Sequence, residues 1–139
     1  MAEDITSPHQ IIKAASACIW RGNEILLVQR GNALGHGFWS LPGGKMETGE
    51  TAIIAATREL LEETNVIAKL QHHVGDFELD GENIRYMIAC FTGFHVSGEA
   101  TAMTDAKAVA WVDWRRIGDL RLAPNIAAAV ALAHKLTSL

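Results

Sequence analysis

The chain reads as an α/β fold on a mixed sheet, and three observations predict it. Short apolar runs rich in Ile, Val and Ala recur from Ile11 onward, bounded by turns of Gly, Asn and Asp. Between them lies a segment, Thr51 to Asn65, with helical periodicity rather than strand alternation. A second helical stretch, rich in Ala and Leu, follows Pro124-Asn125 at the C-terminus. Strands interleaved with two helices bury their apolar faces best as stacked layers.

The elements follow in order. Residues 1–10 are polar, contain Pro8 and read as a loose tail; residues 11–139 form a single domain. Ile11 to Trp20 suits a buried strand, and Arg21-Gly22-Asn23 turns it into a second strand from Glu24 to Gln29. Residues 31–38 carry three glycines and form a loop before the short step Phe38 to Leu41. Pro42, Gly43 and Gly44 break that step, and a helix begins at the N-cap Thr51 and ends by Asn65. Strands are expected at Val66–Leu70, Val74–Leu79, Ile84–Phe94 and Ala108–Val112, with a helical turn near Arg115–Leu120. On the Thr51–Asn65 helix, Ile53, Ile54, Leu60 and Leu61 fall together and are expected to face the core. Ala52, Ala55 and Ala56 fall among the carboxylates, leaving room for a ligand or loop.

Composition narrows the function. With 139 residues and 49% apolar content, the chain buries a real core. A net charge of −4 argues against a broad surface for long nucleic acid, while leaving room for a small anionic ligand. Cys18 and Cys90 both lie in apolar runs and read as buried, reduced thiols. No apolar run approaches a membrane span, so no membrane association is expected and a cytoplasmic setting is the default. The six histidines show no zinc-ligand spacing.

The densest chemistry lies between Gly43 and Val66. At ~100° per residue, Glu59, Glu62 and Glu63 crowd into an arc of roughly 100° on one helix face. Like charges at such spacing repel. A divalent cation offsets that repulsion, and clustered hard oxygens suit Mg²⁺ or Mn²⁺ rather than zinc. The glycine pair ahead of the helix lets backbone carbonyls approach a metal or phosphate closely.

This spacing resembles the box of the Nudix hydrolases, G-x5-E-x7-R-E-U-x-E-E-x-G-U, where U is a bulky aliphatic residue. Here the box runs Gly44, Glu50, Arg58, Glu59, Leu60, Glu62, Glu63, Asn65 and Val66, matching eight of nine specified positions. The departure is Asn65 in place of glycine; asparagine is the next most tolerant residue for a left-handed helix end. The resemblance implies an α/β/α sandwich with a mixed sheet and a metal-dependent hydrolase of small nucleotides. It implies Glu59, Glu62 and Glu63 as metal ligands, completed by a carbonyl of Gly43 or Gly44. Arg58 would pair with Glu50 and tie loop to helix. Arg30, ending the second strand, falls where relatives often bind phosphate, although strand-end arginines are also common without any such role. The general base would come from a box glutamate or from a later loop. Asp105 represents the second choice, since Asp105 to Trp111 resembles an acidic-x5-Trp element of relatives, and an ordinary loop aspartate is the competing reading. Trp39, Phe38 and Tyr86 either stack on a base or belong to the core or pocket wall. Asn125 is either a helix cap or a base-reading residue.

Two activities follow from the resemblance. One is cleavage of a nucleoside diphosphate linked to another moiety, ADP-ribose above all, with Mg²⁺ that Mn²⁺ can replace. The other is a MutT-type triphosphatase acting on oxidised nucleotides. A ligand-sensing domain would usually have lost part of the acidic set. A homodimer is left open.

Overall fold

A computed structural model describes residues 10–31 and 37–137. The expected tail therefore lies outside the described residues except for Gln10, which opens the first strand. Most of the loop expected at 31–38 lies outside them too.

The strands are β1 (Gln10–Arg21), β2 (Glu24–Arg30), β3 (Trp39–Ser40), β4 (Gly43–Lys45), β5 (Ile67–Gly81), β6 (Ile84–Ser97) and β7 (Ala106–Asp113). The helices are α1 (Ala52–Thr64) and α2 (Ile126–Thr137), with a 3-10 turn at Trp114–Asp119. The sheet runs β3-β2-β1-β6-β5, with β4 on β1 and β7 on β2. β1 pairs parallel with β6 and antiparallel with β2 and β4, which makes the sheet mixed.

Strand alternation explains the layers. Along β1, Ala15, Ala17 and Ile19 point into a core with Ala55, Ala56 and Leu60 of α1. The intervening Cys18 and Trp20 point the other way, into a core with Ala129, Val130 and Ala133 of α2. One helix on each face of the sheet is the α/β/α sandwich that the sequence predicts. Cys18 and Cys90 are buried and free, and burial raises both thiols above the ordinary range, Cys90 to about 11.

Helix α1 keeps its expected ends. Thr51 caps it by accepting a hydrogen bond from the Ile54 N–H at 3.3 Å. Asn65 adopts φ 64°, and its N–H closes on the Leu61 carbonyl at 2.9 Å. Which side of α1 is core differs from the expectation. Leu60 is buried, but Ile53, Ile54 and Leu61 are exposed, Ile54 by 54%. Ala55, Ala56 and Glu63 take the inward face instead. The reason is distance: β4 and β1 run beneath α1, and the small Ala55 and Ala56 let its first turns come close. Glu59 and Glu63 therefore face protein, Glu62 lies at the solvent edge, and Ile53, Ile54 and Leu61 face solvent.

Two smaller differences concern strands. The expected breaks between Val66–Leu70 and Val74–Leu79 vanish into one 15-residue β5. Register shifts at Ile67/Ala68, Leu70/His72 and His73/Gly75 scramble its alternation, so that Gln71-His72-His73 reads as a loop although the ladder with β6 continues. β6 likewise runs on to Ser97 as the partner of that ladder.

Candidate active site

The two glycines of β4 sit where no side chain fits. A Cβ on Gly43 would collide with the Ala15 carbonyl and with Ser16, and one on Gly44 would lie 2.5 Å from the Glu59 carboxyl carbon. The loop thus passes in direct contact under the acidic side of α1. The Gly43 N–H donates to Glu63 Oε2 at 3.1 Å.

Arg58 organises the outer half of the site. Its Nε and one terminal nitrogen donate to the two oxygens of Glu50 at 2.7 and 2.8 Å, a two-pronged pair. Its other terminal nitrogen reaches Glu59 at 2.9 Å and Glu62 at 3.1 Å. The terminal nitrogen paired with Glu50 also donates to the Lys45 carbonyl at 3.1 Å, so strand, loop and helix meet on one guanidinium. The Arg58 contact and the Glu47 N–H hold the Glu50 carboxyl down at about 2, and the Glu50 contact raises Arg58 still further.

Glu63 lies deeper and has the opposite character. It is 8% exposed, and burial pushes its carboxyl from 4.5 up to about 7. The Gly43 N–H and the charge of Arg30 pull the other way, whereas Glu59 and Asp105 add to the rise. Arg30, Glu59 and Asp105 therefore share one electrostatic neighbourhood with Glu63. The backbone shows how Asp105 arrives there. Thr101 and Met103 donate to the Thr64 and Glu63 carbonyls at 2.9 and 3.0 Å, capping the end of α1. Gly31, next to Arg30, donates to the Asp105 carbonyl at 3.3 Å.

Among the described residues, no three acidic, imidazole or thiol groups stand arranged around one point. Arg58 holds Glu59 and Glu62, which accounts for it. The donors still fit a hard divalent cation in kind. Glu63 is a buried carboxylate kept near neutrality by burial and two like charges, and a cation relieves both causes. Glu59 and Glu62 lie on the same helix, with backbone carbonyls of the glycine loop adjacent.

Beside this cluster a cavity of about 540 Å³ crosses the sheet from β4 to β5 under the start of α2. Arg30, Gly43, Gly44 and Lys45 line it on the β4 side; Phe77, Leu79, Tyr86 and Ile88 line it across β5 and β6. Asn125 completes the wall beside α2. It does not sit as a simple cap: φ is 72°, and Nδ2 donates to the Glu78 carbonyl on β5 at 2.9 Å. Trp39 stands outside the cavity lining. Trp39 packs into the core under α2, and its neighbour Phe38 borders the cavity. Consecutive residues of an extended chain point to opposite sides, which parts Trp39 from Phe38. Ser40, Phe77, Leu79 and Ile88 were not singled out from sequence. For Ile88, the alternation Tyr86, Ile88, Cys90 along β6 was the available signal.

Fold and site together define an α/β/α protein in which an acidic helix overlies a glycine loop at the rim of a mostly apolar cavity. The family model of the NUDIX domain matches residues 11–133, and the chain belongs to the Nudix family. It is 34% identical over 109 residues to the ADP-ribose pyrophosphatase of Methanocaldococcus jannaschii, covering 77% of this chain and 64% of that protein. It is 36% identical over 96 residues to the oxidized purine nucleoside triphosphate hydrolase of Danio rerio, covering 68% of this chain and 61% of that one. The chain thus spans less than two thirds of the length of these curated relatives. Among solved structures, the E. coli ORF135 protein superposes with a TM-score of 0.79 at 25% identity, covering 93% of this chain and 92% of that one. Nudix hydrolases act on small nucleotide substrates and generally need a divalent metal ion. No helix among the described residues is long and apolar enough to cross a membrane.

Proposed function

We propose that this chain is a pyrophosphohydrolase that cleaves a nucleoside diphosphate linked to another moiety, with ADP-ribose or a similar small nucleotide as substrate. One observation carries the reading: a buried carboxylate, Glu63, hydrogen-bonded to the glycine loop at the rim of a cavity of about 540 Å³. A cation held by Glu59, Glu62 and Glu63, with a carbonyl of Gly43 or Gly44, would neutralise phosphate oxygens and acidify a bound water. We assign that place to Mg²⁺, with Mn²⁺ able to substitute, in a cytoplasmic setting.

The chain's own residues divide the remaining work. Arg30, on the cavity wall, would bind a phosphate oxygen through its guanidinium. Arg58 fixes Glu50 and the loop, and through them the position of Gly43 and Gly44. The general base would come from a box glutamate or from Asp105, whose charge acts on Glu63. The apolar walls around Tyr86 and Phe77 would exclude water from the base and stack against it.

Asn125 favours a second reading. It lines the cavity, and with Nδ2 committed to Glu78 its Oδ1 has no partner among the described residues. An unengaged amide oxygen at the base end suits recognition of a modified purine, and so a nucleoside triphosphate pyrophosphatase. A panel of ADP-ribose, NADH, diadenosine polyphosphates, sugar nucleotides and normal and oxidised dNTPs, with Mg²⁺ or Mn²⁺, separates the two. AMP with ribose 5-phosphate, identified by mass, supports the first; pyrophosphate with a nucleoside monophosphate supports the second. Saturable binding without turnover across the panel would overturn both in favour of a sensor.

A further inference from the structure

From Ala14 to Trp20 every residue of β1 is buried except Ser16, which stays half-exposed and lines the cavity. Its backbone is enclosed on both sides, paired with Gly43 of β4 and with Cys90 of β6. The surface that Ser16 exposes therefore belongs to its side chain. The floor around it is apolar, with Ala14 on β1, Ile88 on β6 and Phe77 on β5. Ser40, the other serine of the wall, is closed off at its Oγ. Cys90, beside Ser16 on β6, offers a thiol, which the Ser16 hydroxyl draws down against the rise from burial. A thiol is a weak hydrogen-bonding partner, so the hydroxyl keeps its capacity for whatever fills the cavity.

Register fixes where along the cavity this hydroxyl stands. Ser16 is one rung, about 5 Å, from Gly43, and a Cβ on Gly43 would lie 2.8 Å from that of Ser16. Gly43 is the residue whose N–H holds Glu63, so Ser16 borders the end of the cavity where the phosphates belong. Tyr86, on the opposite wall, pairs with Ile12, four residues before Ser16. That places it about 13 Å further along the sheet. In a nucleotide the sugar lies between phosphate and base. A side chain that adjoins the diphosphate but stops short of the base end meets the sugar.

We propose that Ser16 hydrogen-bonds a ribose hydroxyl of the substrate nucleotide, so that the protein discriminates against a sugar lacking that hydroxyl. The inference rests on the nucleotide reading above and deepens it. A serine hydroxyl both donates and accepts, as a sugar hydroxyl does, and it gains nothing from the bare carbon of a deoxy sugar.

The test takes the best substrate of the panel in three forms: with the full ribose, without its 2′-hydroxyl and without its 3′-hydroxyl. Wild type and Ser16→Ala are compared by kcat/KM on each. Wild type is expected to favour the full ribose over at least one deoxy form, and the variant to narrow that ratio about three- to tenfold. Because each ratio is taken within one protein, a smaller folded fraction of the variant leaves it unchanged. Equal ratios in the two proteins for both deoxy forms overturn the inference, as does a wild type indifferent to both hydroxyls. Turnover that persists in those cases leaves the pyrophosphohydrolase reading standing. If wild type turns over nothing, that reading falls by itself. Equilibrium binding of AMP and its 2′- and 3′-deoxy forms then decides the role of Ser16: a narrowed affinity ratio in the variant upholds it and an equal ratio removes it.

Discussion

Glu63→Gln should strengthen the metal-free fold while nearly abolishing turnover. In the folded protein burial pushes this carboxyl from 4.5 to about 7. A raised folded value means that the native state binds the proton more tightly than the unfolded chain. The contribution of Glu63 is therefore whole below pH ~4.5 and is lost as pH climbs through ~7. The gap corresponds to about 3 kcal/mol, and relaxation around the charge brings the working figure to about 1–3 kcal/mol. Glutamine avoids that cost and keeps an oxygen for the Gly43 N–H. In a domain of this size, the melting temperature should rise by roughly 4–10 °C at pH 8 in chelator. At pH 4.5 the two proteins should melt together. Thermal denaturation from pH 4.5 to 8.5, with chelator and then with millimolar Mg²⁺, measures this. Magnesium should raise the wild-type value more than that of the variant. Equal stability at pH 8, or a gain that ignores pH, refutes the account of Glu63 as an uncompensated buried charge. Turnover of the variant should fall by orders of magnitude; a near-normal rate would remove Glu63 from the ligand set.

Four further outcomes are expected. Gly44→Ala should fold but lose more than tenfold in rate, because its Cβ displaces the Glu59 carboxylate; melting and kinetics together check this. Arg58→Lys should weaken Mg²⁺ dependence and activity nearly as much as Arg58→Ala, since one ammonium cannot repeat the two-pronged grip on Glu50. On α1, Ile54→Gln should change stability by less than about 0.5 kcal/mol, whereas Ala56→Leu should cost roughly 1–3 kcal/mol by overpacking; urea denaturation distinguishes them. Arg121→Ala should raise KM about two- to fivefold with kcat little changed, by loosening the ring of Phe38.

The division between what was legible in the sequence and what was not follows the range of the forces involved. Helix α1 was readable to within a residue because capping is local: Thr51 and Asn65 act on backbone groups a few positions away. The loop and its acidic helix were readable because their spacing is covalent. β1 was readable as a buried strand too, since an apolar run closed by a turn is a local signal. β5 was not, because its register shifts are answered by β6, a partner that its own residues do not specify.

By itself, then, the chain determined the α/β architecture, the boundaries of α1 and the setting of Glu59 and Glu63 against Gly44 and Gly43. Tertiary structure alone decided which side of α1 is buried, because that depends on how closely β1 and β4 approach the helix. The same packing separates Glu50, held low by Arg58, from Glu63, raised by burial, although both are glutamates of one motif. It also brings Phe38 to the cavity while Trp39 packs against the core. Desolvation and close contact are properties of assembled surfaces, and no stretch of sequence carries them before the sheet and helices meet.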